Sequence, residues 1–206
     1  MIKYAIVGLS GKRGSGKDAL SSKLIPLGWE RVSFADELKK KIRQEFGLTV
    51  EQTDGHLKET PCGYRNEQGV ELTPRDIMTA CGKYYRSIDP MFWVKQAFLP
   101  LNDFAELHKH NPVTLVRKLV VTDVRFLNEV GFLRNHESRI VRINRLPELN
   151  IYKTVLDDYT ENSLDNYSFD YSISAHRNID FNDLEREAKY IDEQFGSQVS
   201  ELTFKV

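Results

Sequence analysis

Residues 11–18 read Gly-Lys-Arg-Gly-Ser-Gly-Lys-Asp, a G-x-x-x-x-G-K spacing. Lys3 to Leu9, just before it, is a short apolar run that reads as a buried strand. After it, Leu20, Leu24 and Leu27 recur at helical intervals over residues 17–26. A strand that enters a glycine loop and leaves it as a helix is a strong constraint on the fold. Glycines let backbone N–H groups turn inward around an anion. The helix N-terminus adds positive partial charge. Lys17 supplies a point charge suited to the terminal phosphates of a nucleotide. A glycine turn that binds nothing would not need the strand–loop–helix context.

The rest of the chain continues this alternation. Glu30 to Ala35 reads as a second strand, with Asp36 as N-cap of a helix through Leu38, Ile42 and Phe46. Thr49 to Leu72 is polar and glycine-punctuated, so a long loop or insertion is expected. Thr73-Pro74 and Asp89-Pro90 each begin a helix. Lys118 to Thr122, Arg139 to Ile143 and Phe169 to Ser174 read as strands, and Phe126 to Asn135 and Phe181 to Phe195 as helices. Val199 to Val206 is an extra edge strand or a loose tail. Such alternation predicts an α/β protein with a mainly parallel sheet and helices on both faces.

Composition narrows the function classes. At 206 residues the expectation is one domain with an embellishment. Lys+Arg 29 against Asp+Glu 30 gives a net charge of −1, which supports neither a nucleic-acid footprint nor a polybasic membrane anchor. No apolar run reaches the ~18 residues of a membrane span. Cys62 and Cys81 form no CxxC pair, so reduced thiols in a cytoplasmic protein are expected, with no zinc site.

The motifs also come in a recognisable order. Ser10 to Asp18 resembles the phosphate loop of the phage-type deoxynucleoside monophosphate kinases, which carry Asp after the lysine. Phe34-Ala35-Asp36-Glu37-Leu38-Lys39 is similar to that family's F-A-D-x-L-K segment. Thr73-Pro74-Arg75-Asp76, Gly82, Arg86, Asp89-Pro90 and Trp93-Val94 follow its next block. Val120 to Glu129, containing D-V-R-F-x-N-E, resembles its second specific signature. Thr160-Glu161-Asn162-x-Leu164-Asp165 and Phe169-Asp170-Tyr171 resemble its S-E-N-x-L-D lid segment, with Thr for Ser. The resemblance covers nearly the whole chain. It implies a three-layer P-loop kinase fold over residues 1–206, with 1–35 and 115–206 as core, about 36–112 as acceptor-binding insertion and about 144–168 as lid.

Phosphoryl transfer needs a donor cradle, a metal, an acceptor clamp and cations around the transferring group. Gly11, Lys12, Arg13, Gly14, Ser15, Gly16, Lys17 and Asp18 form the expected ATP cradle. Arg177, in the stretch where the family holds adenine, is added to it. Asp18 and Asp123 are the expected Mg²⁺ carboxylates; each could instead serve only a helix N-terminus. Arg125 is expected on the acceptor or transferring phosphate, as the resemblance implies, the alternative being an ion pair with Glu129. Lys39, Arg75 and Arg86 are the candidates for the acceptor phosphate, with Asp36, Asn128 and Glu161 nearby in the motifs. Phe34 and Trp93 either stack on the base or belong to the core. Arg142 and Arg145, before the lid, are candidate catalytic cations.

The reading is therefore an ATP- and Mg²⁺-dependent kinase of deoxynucleoside monophosphates in the cytoplasm, the host's if the chain is phage-encoded. Its partner would be a small nucleotide, with no stable nucleic acid and no membrane. A homodimer is compatible with the resemblance and with the unassigned C-terminal strand. The animal phosphomevalonate kinases share the G-K-R-x-S-G-K-D loop, so phosphomevalonate or a modified DNA base remains an alternative acceptor. A non-catalytic nucleotide-binding protein is the remaining alternative. Base specificity and the choice between ribose and deoxyribose stay open.

Overall fold

The computed structural model describes residues 2–145, 162–175, 181–201 and 204. Strand β1 (Ile2–Ser10) lies in the interior of the sheet, and its almost unbroken apolar sequence reflects burial on both faces. It pairs in parallel with β3 (Leu115–Val124) on one side and β4 (Arg139–Arg145) on the other. β2 (Trp29–Val32) adds in parallel to β3, and β5 (Tyr171–Ala175) to β4, giving the order β2-β3-β1-β4-β5. β6 (Ser200–Glu201) pairs antiparallel with Lys3 and Tyr4 of β1.

Both faces of the sheet carry helices. Ala5, Val7 and Leu9 of β1 pack with Leu20 and Leu24 of α1 (Lys17–Leu24), and with Leu184, Ala188 and Ile191 of α7 (Phe181–Phe195). On the opposite face lies α6 (Leu127–Arg134). A Cβ on Gly8 would stand 2.9 Å from both Leu133 and Ile140 side chains, so glycine lets this helix approach the central strand closely. The mainly parallel, doubly covered sheet expected from the sequence is the one observed.

Of the C-terminal segment, Ser200 and Glu201 form a strand of the chain's own sheet. Phe204 beyond it is buried, its ring 5.0 Å from Tyr4, while its carbonyl accepts a 2.6 Å bond from Asn102.

The chain divides into two compact units. Residues 1–33 and 99–205 form the sheet unit, and residues 34–98 a helical unit. The helical unit contains α2 (Phe34–Phe46), α3 (Val50–Thr53), α4 (Pro74–Ile88) and the beginning of α5 (Phe92–Leu107). Ile42, Leu48 and Ile77 are its buried centre, with Phe46, Leu72, Met78, Cys62 and Cys81 packed around them. The expected insertion, 36–112, starts two residues later and ends later than this unit, because α5 continues unbroken through Pro100.

Two local expectations need correction. The second strand stops at Val32, and Phe34 already opens α2, so Asp36 lies inside the first turn instead of capping it. Phe34 is drawn into the helix by burial of its ring, 6.4 Å from that of Phe98. The stretch 49–72 is also more ordered than a loop. Thr49 and Gln52 cap α3 reciprocally, and a 3₁₀ turn follows at His56–Glu59. Leu72 accepts from the Cys62 N–H and donates to the Tyr64 carbonyl. No described helix is long and apolar enough to cross a membrane.

Candidate active site

The phosphate loop begins where β1 ends. Gly14 and Gly16 have φ of 74° and 104°, in the left-handed region that side chains with a Cβ resist. At Gly11 the limit is space, since a Cβ would stand 2.5 Å from the Ile143 carbonyl and from Ser15 Oγ. A Ser15 N–H bond of 3.0 Å to the Lys12 carbonyl tightens the turn before α1 starts at Lys17.

Lys17 is only 9% exposed. A buried ammonium needs acceptors, and it donates to the carbonyls of Gly11 at 2.6 Å and Lys12 at 3.0 Å. Ser15 Oγ stands 3.4 Å away as a weaker third. The charge is thus fixed over the loop whose glycines free the backbone to turn. Lys12, Arg13 and Gly14 are exposed at the tip, and Asp18 is exposed in the first turn of α1.

Two further pieces of the sheet unit adjoin the C-terminal ends of its strands, where α/β sheets bind ligands. Asp123, the penultimate residue of β3, accepts a 3.0 Å bond from Ser33 Oγ. Beyond it the chain turns into α6, and Glu129, 3% exposed, governs the turn. One of its oxygens accepts from the N–H of Arg125 at 2.8 Å and of Phe126 at 3.1 Å. A carboxylate that accepts backbone N–H groups at a helix N-terminus is a strong, charge-assisted anchor. Ser163 Oγ donates to the carbonyl of Arg125 from the other side. The sequence offered Glu129 only as an ion-pair partner for Arg125; its backbone role was legible solely as an acid in the first turn of α6. Asn128 is the second residue of that helix and is half-buried.

Arg142 is a second residue whose partners the sequence does not reveal. It precedes the lid residues and is 7% exposed on β4. Its guanidinium donates to Ser10 Oγ at 3.2 Å, Asn144 at 3.2 Å and Asp165 at 2.8 Å. The sheet unit thus gathers the phosphate loop, Asp123, Arg125 and Arg142 around the ends of β1, β3 and β4. Arg145 closes β4. Glu161, Arg177 and the lid residues 146–161 lie outside the described residues.

The remaining expected residues belong to the helical unit. Lys39 is paired with Asp54 at 2.7 Å and Asp36 at 3.5 Å. Partial burial pushes the Asp54 carboxyl up, but hydrogen bonds from Lys39 and Thr53 and the charges of Lys39 and Arg43 outweigh it and hold the group below its ordinary value. Arg75 donates to Glu59. Arg86 lies on α4 beside Gly82, whose added Cβ would meet its guanidinium at 3.2 Å. Trp93 is 2% exposed and donates to the Gly82 carbonyl at 3.3 Å. Phe34 is equally buried, so both rings belong to the core of this unit and neither is an exposed stacking platform.

Among the described residues no group of three His, Cys, Asp or Glu side chains is arranged to hold a metal. Mg²⁺ in phosphoryl transfer needs less, typically one or two carboxylates with phosphate oxygens and water. Asp18 and Asp123 are hard oxygen donors of that kind.

No family model matches the chain. Over 150 aligned positions, covering 68% of the chain and 74% of the relative, it is 34% identical to an Acanthamoeba polyphaga mimivirus protein described as "Putative deoxynucleotide monophosphate kinase". The chain belongs to the deoxynucleotide monophosphate kinase family. Among solved structures, the kinase is similar to dephospho-CoA kinase from Campylobacter jejuni, with a TM-score of 0.49, 17% identity and coverage of 95% of this chain and 99% of that one. Shikimate kinase from Bacteroides thetaiotaomicron follows at 0.39 and 17% identity, over 92% and 97% of the two chains.

Proposed function

We propose that this kinase transfers the γ-phosphoryl group of ATP to the phosphate of a deoxynucleoside 5′-monophosphate, releasing ADP and the deoxynucleoside diphosphate. The observation that carries this reading is the buried Lys17 ammonium, pinned by the Gly11 and Lys12 carbonyls inside the glycine loop. Preorganised charge at the transferring group is the main catalytic resource of such reactions. The loop amides and Lys17 receive the β- and γ-phosphates. Asp18 and Asp123 would hold Mg²⁺, which would supply charge neutralisation for the phosphates. Arg125, its backbone anchored by Glu129 and Ser163, contributes a guanidinium fork to the transferring or acceptor phosphate. Lys39, Arg75 and Arg86 recognise the acceptor monophosphate.

The test is ADP release from MgATP in a coupled assay, with each deoxy- and ribonucleoside monophosphate as acceptor and a no-acceptor control. Stimulation by one or more deoxynucleoside monophosphates is the expected result and names the base. Stimulation by none of them, with ATP binding intact, rejects the proposed acceptor.

A further inference from the structure

The segment that follows the lid residues, 162–170, is bonded to three pieces of the site in the sheet unit: the phosphate loop, Arg125 and Arg142. Asp165 uses both carboxylate oxygens. Oδ1 accepts from the Arg142 guanidinium at 2.8 Å, and Oδ2 stands 3.0 Å from the Lys12 ammonium at the tip of the phosphate loop. Arg142 in turn donates to Ser10, the last residue before the loop, and its guanidinium lies 5.4 Å from the centre of the Phe169 ring. Two residues before Asp165, Ser163 holds the carbonyl of Arg125. Asp170 anchors the far end of the segment, accepting from Arg134 at 2.8 Å and from the Ile140 N–H at 2.6 Å.

We infer that Asp165 is a positioning residue for the phosphate loop, which it orders by holding Lys12 and Arg142 on one carboxylate. The inference rests on the reading of residues 11–18 as the ATP site. Arg142 is buried and cannot easily relocate, so Asp165 is fixed by it and offers Lys12 a rigid partner. Lys12 is exposed, and without that partner its side chain and the loop tip would sample many conformers. A carboxylate beside a phosphate site also repels the ligand. Two cations already neutralise this one, so the ordering effect outweighs the repulsion, and losing Asp165 weakens ATP binding.

Asp165→Asn is the informative variant. It keeps an oxygen for Arg142 and turns an amide toward Lys12. Expected is an ATP dissociation constant raised about tenfold, with kcat at saturating ATP within about twofold. In a Lys12→Met background the same change should cost less than about twofold, because the two residues act through one contact. ATP binding by Asp165→Asn that equals or exceeds the wild type, or equal costs in both backgrounds, overturns the inference. Should Asp165→Asn fail to fold, Lys12→Met replaces an exposed side chain and leaves the Arg142 pair in place. Amide exchange of residues 11–16 must then quicken by about threefold or more in the nucleotide-free protein; unchanged exchange overturns the inference. Lys17→Ala separates the two levels. If it leaves ATP binding untouched, the ATP-site reading fails and takes this inference with it. If Lys17→Ala abolishes binding and Asp165→Asn does not weaken it, only the inference fails.

Discussion

The sheet unit and the helical unit hold their cations in different ways. In the sheet unit, Lys17 is buried and bound by backbone carbonyls that cannot leave. In the helical unit, Lys39 and Arg75 are bound by the side chains of Asp54 and Glu59. A phosphate can replace a partly exposed carboxylate at small cost, because such ion pairs are worth little in water. It cannot replace a loop carbonyl. The contrast is what the proposed function requires: a donor site built in advance and an acceptor site whose cations are parked on internal anions.

The largest effect that can break this contrast is at Lys17. Lys17→Ala should lower kcat by roughly 10²–10³-fold while far-UV circular dichroism remains native. A fall of less than about tenfold in a folded variant would mean that Lys17 does not serve the transferring phosphate. Gly11→Ala comes next. Its Cβ would collide with the Ile143 carbonyl, so it should cost ~2 kcal/mol in urea unfolding and weaken ATP binding. Tolerance of alanine there would mean the loop is not tightly built.

On the acceptor side, Arg75→Ala should raise KM for the monophosphate about tenfold and leave KM for ATP within about twofold. Equal changes in both would erase the distinction between the units. Glu129→Gln keeps an acceptor but loses its charge. A several-fold fall in kcat with a stability loss of ~1 kcal/mol is expected from steady-state kinetics and chemical denaturation.

The smallest effect sharpens the contrast from outside the site. The Arg117 guanidinium donates to Glu30 between β3 and β2, and this hydrogen bond pulls the Glu30 carboxyl below its ordinary value. A carboxylate with a depressed folded pKa stabilises above its unfolded value of ~4.3, and loses that contribution as pH falls through the folded value. Glu30 is about half exposed, so Glu30→Gln should cost only about 0.5 kcal/mol at pH 7. The difference from wild type should shrink as pH falls below the unfolded value in urea titrations. Activity should not change.

Legibility in the sequence followed the range of the interactions. The phosphate loop was readable because glycines, lysine and the flanking apolar runs are all local. The sheet was readable because β1 is an almost unbroken apolar run and β3 carries the apolar stretch Leu119–Val121. The start of α2 was not, since Phe34 is drawn into helix by a ring more than sixty residues later in the chain. The Thr49–Gln52 capping box was present in the sequence and passed over among polar residues. Trp93 and Phe34 were ambiguous between base and core, because an aromatic side chain carries no mark of which it will meet. Arg142, Asp165 and Lys12 converge through sheet pairing and a distant turn, which no spacing along the chain reveals.

The central claim is that donor phosphates and acceptor phosphate are recognised by different units. Isothermal titration of Lys17→Ala and of Arg75→Ala, with ATP and separately with the best monophosphate acceptor, tests it directly. The account predicts that Lys17→Ala loses ATP and keeps the acceptor, while Arg75→Ala does the reverse. Both ligands weakened alike by either substitution would contradict it.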